Sequence, residues 1–244
     1  MQATLTTAIS LSGAVVSAGA LVTHAALGPE SQLFGRTVIA GHNPEEIALT
    51  YDDGPNPAAT PALLEVLARH NARATFFIIG EHARRYPELV RAVHKAGHLL
   101  GNHTMTHPWL AWQPERVILE ELSGCSKLIE DLTGEPVRYM RPPHGARRPV
   151  VMRIAHTLGM ETVQWNIMGH DWLPIGAEGI LKHIDKGLRW VRRWHRGGNI
   201  LLHDGHQTEL KANRSGTIAV TAALLERFAG TATRLVTVDT WTKF

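Results

Sequence analysis

Thr50-Tyr51-Asp52-Asp53-Gly54-Pro55 follows directly on the apolar run Ile47-Ala48-Leu49. An apolar run cut short by two carboxylates and a Gly-Pro turn reads as a buried strand with Asp52 and Asp53 at its C-terminal tip. Neighbouring side chains on extended backbone point to opposite sides, so one carboxylate is free to bind something while the other faces a second target. Alone, Asp-Asp-Gly-Pro is also the composition of an ordinary surface turn. The pattern around it decides between the two.

From residue 46 onward strands and helices alternate. The apolar periodicity predicts strands at 46–52, 74–79, 98–102, 137–141, 160–166, 199–202 and 234–238. Between them it predicts helices at about 58–70, 86–96, 114–132, 148–158, 177–196 and 216–229, several opened by Pro or stopped by Gly. Such alternation implies parallel strands with helices outside. With about seven units in 244 residues, an irregular closed (β/α)7 barrel is the simplest architecture, and an open doubly wound sheet is the runner-up.

Five polar clusters fall just after predicted strands: Asp52-Asp53, His103 with His107, Arg141-Pro142-Pro143-His144-Gly145, Asp171-Trp172 and His203-Asp204. In parallel barrels the reacting groups gather at the C-terminal strand ends, whereas chance surface turns would populate both ends. His103 and His107 stand at i and i+4, so on one helical turn they would share a face and reach one ion. Two imidazoles and a carboxylate suit catalytic zinc with a position left open for water, and they also describe non-haem iron oxygenases. Water bound at such a site needs a base and the departing group an acid. Asp52 and Asp53 would divide into ligand and base, and His203 is the candidate acid, oriented by Asp171. Arg141 would fix a nearby carboxylate through a bidentate pair. The stiff Pro142-Pro143 segment would aim the His144 N–H into the site as an oxyanion donor. Trp109 and Trp172 offer flat apolar faces to a substrate.

Taken together and in order, these clusters resemble the five motifs of the polysaccharide deacetylase family, the NodB-homology fold of carbohydrate esterase family 4. The resemblance covers about residues 44–240. It implies that Asp52 is the general base, held by Arg141, and that Asp53, His103 and His107 bind one divalent metal, zinc first, with Co, Mn, Ni or Fe as alternatives. Thr104 would stabilise the His-bearing loop. The His144 amide would serve the oxyanion, Leu201 would line the pocket for the acetyl methyl, and His203, tuned by Asp171, would be the acid. The chain departs from the pattern at Tyr51, where Phe is usual, at His144, where Tyr is usual, and at Met168, where an Asp often stands. The implied reaction is hydrolysis of N-acetyl groups, or O-acetyl groups at the same site, on an amino-sugar polymer such as peptidoglycan, chitin oligomers or an exopolysaccharide. A carbohydrate-binding envelope protein that keeps the fold without turnover is the alternative from another class.

Composition sets the remaining bounds. Ordinary apolar content and a net charge of +3 allow a buried core and give no case for nucleic acid. The late basic run Arg189, Arg192, Arg193 and Arg196 reads as cations at a helix C-terminus, with attraction to an anionic envelope polymer as the livelier alternative. The single cysteine, Cys125, excludes an internal disulfide and reads as a buried inert thiol. Residues 1–27 read as a membrane anchor or signal segment, apolar over 5–27 but without a basic start, 28–43 as a linker and 44–244 as the catalytic domain. A monomer at the cell envelope is the expected setting.

Overall fold

The computed structural model describes residues 19–242. A parallel sheet runs through it in the order β5-β4-β3-β2-β1-β7-β6. The strands are β1 (Glu46–Gly54), β2 (Thr75–Ile78), β3 (Leu99–Asn102), β4 (Tyr139–Met140), β5 (Glu161–Thr162), β6 (Ile167–Met168) and β7 (Gly198–His203). A further strand, β8 (Arg234–Val236), pairs with the first half of β1. The intervening helices are α2 (Thr60–Arg69), α3 (Gly80–Arg85), α4 (Pro87–Lys95), α5 (Glu115–Thr133), α6 (Pro149–Thr157), α7 (Gly176–Arg193) and α8 (Ser215–Phe228); α1 occupies residues 19–27.

The order of the strands forces the sheet to curl. Seven strands laid flat would separate β5 from β6 by about 29 Å at the usual strand spacing. Only residues 163–166 join those two strands, a tether of at most about 18 Å. The sheet therefore bends into a half-barrel, the expected α/β barrel with helices outside, whose seam is spanned by residues 163–166. Val38 bridges to Val163 at this seam. The run read as one strand over 160–166 is thus the short strand β5 and the crossing, and β6 begins only after it. The helix α3 was not expected; six residues are too few to show a periodicity.

β1 is the centre. It is buried from Ile47 to Gly54 and pairs with β7 along Ile47–Asp52 and with β2 along Thr50–Gly54. Tyr51 stacks on Phe76 at 5.0 Å, and its hydroxyl meets Thr221 Oγ1 at 2.8 Å, which satisfies the one polar atom in that apolar layer. α5 ends at Gly134 in the left-handed conformation, φ 77°, as its sequence suggested. Cys125 is buried on α5, and burial raises its thiol to about 12.

Residues 28–43, read as a linker, lie packed on the domain. Arg147 is 1% exposed and donates to the carbonyls of Gly145 (3.1 Å), Gly28 (2.8 Å) and Ser31 (2.7 Å), and its own N–H reaches Ala26 O at 3.0 Å. Residues 1–18 of the expected anchor or signal segment lie outside the described residues. Leu21, Val22 and Leu27 on α1 are exposed, and no described helix is long and apolar enough to cross a membrane.

Candidate active site

The register of the sheet delivers the expected residues to one end. Asp52 is the direct partner of His203 across β1 and β7. Asn102 of β3 pairs with both Ile78 and Met140, so the next residues, His103 and Arg141, leave the sheet side by side. His103 Nδ1 donates to the Arg141 carbonyl at 2.8 Å.

Alternation along β1 breaks at its tip. A bulge lies between Asp52 and Gly54, and Asp53 has φ 70°, a left-handed conformation that Asp tolerates better than most residues. Asp53 is thereby turned into the same cleft as Asp52 instead of to the opposite side. His103 and His107 also reach it by a route other than the expected helical turn. Residues 103–109 form a loop, with Thr104 at φ 69° and His107 at φ 61°. The loop is held by Asn102 Oδ1, which accepts from the Thr104 N–H at 2.7 Å, and by Thr104 Oγ1, which accepts from the His107 N–H at 3.0 Å. Glu121 accepts from both the N–H and the hydroxyl of Thr106.

Ligand atoms of Asp53, His103 and His107 lie within 4.8 Å of one another. Their chemistry fits a cation. A carbonyl only accepts, so the His103 Nδ1 bond fixes the proton there and leaves a lone pair on Nε2 in the neutral ring. That lone pair faces Asp53 Oδ1 at 3.3 Å and Asp52 Oδ2 at 3.8 Å. His107 Nε2 stands 3.2 Å from the same Asp53 oxygen, which is buried without a hydrogen bond of proper geometry. A carboxylate oxygen, the His103 lone pair and an imidazole nitrogen of His107 converging in a buried place form a donor set that suits a positive charge between them.

Asp52 is bound from behind. Arg141 is fully buried, lies over the Phe77 ring at 4.2 Å, and donates from one nitrogen to Asp52 Oδ1 (2.7 Å) and to Thr50 Oγ1 (2.9 Å). Its second terminal nitrogen goes to Gln164 O at 3.2 Å. The pair is therefore single-pointed instead of bidentate, because the fork is divided between a carboxylate, a hydroxyl and a carbonyl.

Opposite, His203 is oriented by Asp171. Nδ1 meets Asp171 Oδ1 at 2.8 Å, and the His203 N–H and the Thr217 hydroxyl both donate to Oδ2 at 2.7 Å. Burial would lower the His203 pKa, but Asp171, then Asp53 and Asp52, raise it to about 9. Asp171 itself is shifted down: burial would raise it, and His203 and Thr217 outweigh that.

The sequence comparisons agree with this geometry. Residues 40–163 match the family model described as polysaccharide deacetylase. A peptidoglycan-N-acetylglucosamine deacetylase of Bacillus cereus is 36% identical over 200 residues, 81% of this chain and 88% of its own. The chain belongs to the polysaccharide deacetylase family. A chitooligosaccharide deacetylase of Azorhizobium caulinodans is 34% identical over 174 residues, 71% of this chain and 80% of its own. The fold matches a crystal structure of a peptidoglycan N-acetylglucosamine deacetylase in complex with 4-naphthalen-1-yl-N-oxidanyl-benzamide. That match has a TM-score of 0.74 at 27% identity and covers 83% of this chain and 91% of the other.

In this family member the cleft that gathers these residues is a hollow of about 410 Å³. Leu201, Met168 and Trp172 line it beside His203, and Trp172 stands edge-on to the His203 ring at 5.3 Å. Trp109 acts at one remove: it stacks on the His144 ring at 4.0 Å, and His144 lines the cleft. His144 has φ 59°, and the turn bonds run from the Gly145 and Ala146 amides, so its own N–H is left outside the turn's bonding. Burial, followed by His107 and His103, brings the His144 pKa down to about 4. Sequence reasoning missed Trp165, His206, Gln207 and Arg214, which also line the cleft. His206 Nδ1 accepts from the Glu209 N–H at 3.1 Å, which assigns the proton to Nε2, a donor on the rim. A larger hollow, about 560 Å³, opens beside His98, Val137 and Tyr139 at the other end of the strands. No described group of metal-ligating residues lies there.

Proposed function

We propose that the chain hydrolyses N-acetyl groups on an amino-sugar polymer and releases acetate. The observation that carries this reading is that Asp52 and His203, a carboxylate and an imidazole with separate supports, flank the Asp53, His103 and His107 cluster. A divalent ion held by those three residues, zinc in our reading because two imidazoles and one carboxylate leave an open position, supplies Lewis acidity to the acetamide carbonyl and to water. Asp52 accepts the proton of the attacking water, and Arg141 holds that carboxylate in place and aims it. The His144 N–H donates to the oxygen on which negative charge develops. His203, charged below about pH 9, gives its proton to the departing amine. Leu201 lines the cleft as an apolar wall where the acetyl methyl would rest.

A fold-bearing protein without turnover would be expected to have lost the base or the acid, and both are present here. An oxygenase has no use for a proton donor and acceptor poised on the two sides of its metal. The relatives' names favour N-acetylglucosamine in peptidoglycan or chitin oligomers as substrate, and with it a site of action at the cell envelope for a domain spanning 44–244. The test is acetate release from a panel of both substrate types, with Asp52→Asn as control. Release by the native chain, lost in the variant while the metal stays bound, is expected. Equal release by Asp52→Asn would sink the assignment.

A further inference from the structure

The catalytic cleft does not end at Met168. That side chain also lines a second hollow of about 270 Å³ between β6 and α7. A row of rings joins the two. Trp172 of the cleft lies 5.1 Å from His170, and His170 lies 4.7 Å from His183 of the second hollow.

The second hollow is built by one face of α7. His183, Lys186, Gly187 and Trp190 stand at i, i+3, i+4 and i+7 and share that face. Gly187 makes the notch: a Cβ there would lie 2.6 Å from Ile167, so the helix sits directly on β6 and the flanking side chains rise above it. Trp190 is 40% exposed. An exposed indole beside hydrogen-bonding groups suits the flat apolar face and hydroxyl rim of a sugar ring.

The charge in the hollow is selective. Its one carboxylate, Glu30, is engaged by Arg196 at 2.7 Å. Among the described residues no carboxylate pairs with Lys186. The same helix carries Lys182, Arg189, Arg192 and Arg193, while of its two acids Glu178 lies in the first turn, away from Lys186, and Asp185 is tied to Arg227. A neutral polymer has no use for this positive field; a polymer bearing carboxylates does.

We propose that the α7–β6 hollow is a subsite for a carboxylate-bearing sugar of the same glycan strand, with Trp190 under its ring and Lys186 on its carboxylate. The chain would thus be adapted to acidic glycans, in which amino sugars alternate with acid-substituted ones, over neutral chitin-like chains. This rests on the deacetylase reading and deepens it. Met168 is the apolar saddle over which the strand crosses, and its unbranched thioether adapts to either ring face.

The experiment measures acetate release by the full chain from three substrates: a neutral N-acetylglucosamine disaccharide, a neutral longer oligomer, and a glycan with a carboxylate on every second sugar. Lys186→Ala should raise KM about tenfold for the acidic glycan only, the loss of one charge-assisted contact. Trp190→Ala should raise KM for both longer substrates. Neither variant should change kcat, or KM for the disaccharide. Raised salt should weaken the native chain on the acidic glycan and weaken Lys186→Ala less. An equal effect of Lys186→Ala on acidic and neutral oligomers, or no effect, overturns the subsite while leaving the deacetylase standing. Failure of the native chain to release acetate from any of the three overturns both.

Discussion

Replacing Asp171 by Asn gives the sharpest account of what the support of His203 contributes. The amide keeps the size of the carboxyl and can still accept the His203 Nδ1 proton, but it removes the buried anion. In the native chain that anion is the largest influence raising His203 to about 9 against the effect of burial. A cation among Asp53, His103 and His107 would oppose the smaller contributions of Asp52 and Asp53, so Asp171 carries the elevation. Without it the imidazole should return to its ordinary value near 6.5 or below, a difference of about 3.4 kcal/mol or more between its two protonation states. The acid form is required for leaving-group protonation, so activity is lost as pH rises through the His203 pKa. At pH 8 about nine-tenths of native molecules carry the proton, against about 3% of the variant, a loss of about 30-fold from protonation alone. Near pH 5.5 the same factor should nearly vanish. The assay is the pH profile of kcat/KM for acetate release, with metal content measured alongside. An alkaline limb that stays near pH 9 in Asp171→Asn would refute the role of Asp171 and the acid role of His203 with it.

Asp53→Asn or His107→Ala should lose the bound divalent ion by elemental analysis, because each removes one of three ligands. Asp52→Asn should keep the ion and lose at least about a hundredfold in kcat, the lower end for a general base. Arg147→Met should strand the carbonyls of Gly145, Gly28 and Ser31. The cost should be about 3 kcal/mol, seen as a fall in Tm on the order of 6–12 °C. Cys125 should resist a thiol reagent in the native chain and react only in denaturant, since it is fully buried and its thiol is pushed up to about 12.

Much of the site could be read from the sequence because its residues follow strand ends. Asp52, His103, Arg141 and His203 each terminate an apolar run, and the register of a parallel sheet brings such positions together without further information. What could not be read was backbone conformation. The bulge that turns Asp53 into the cleft, and the left-handed φ of Thr104 and His107 that replaces a helical turn, leave no trace in periodicity. The division of Arg141 between Asp52, Thr50 and Gln164 depends on where residues 163–166 cross the seam. Residues 160–166 hold no Gly or Pro to mark a break, so one short strand and a crossing looked like one strand. Residues 28–43 looked like a linker because their ties to the domain, the buried Arg147 and the Val38–Val163 bridge among them, come from residues far along the chain. His206 and Gln207 lie beyond the end of β7, in a loop whose composition resembles any surface loop.

The central claim is that Asp53, His103 and His107 hold an ion on which acetate release depends. The direct measurement strips the chain with a chelator, confirms by elemental analysis that no metal remains, and titrates a divalent ion back while following acetate release from an N-acetylglucosamine oligomer. The account predicts that activity disappears on stripping and returns fully at one equivalent, in the native chain and not in Asp53→Asn. Undiminished acetate release from the metal-free chain would contradict it.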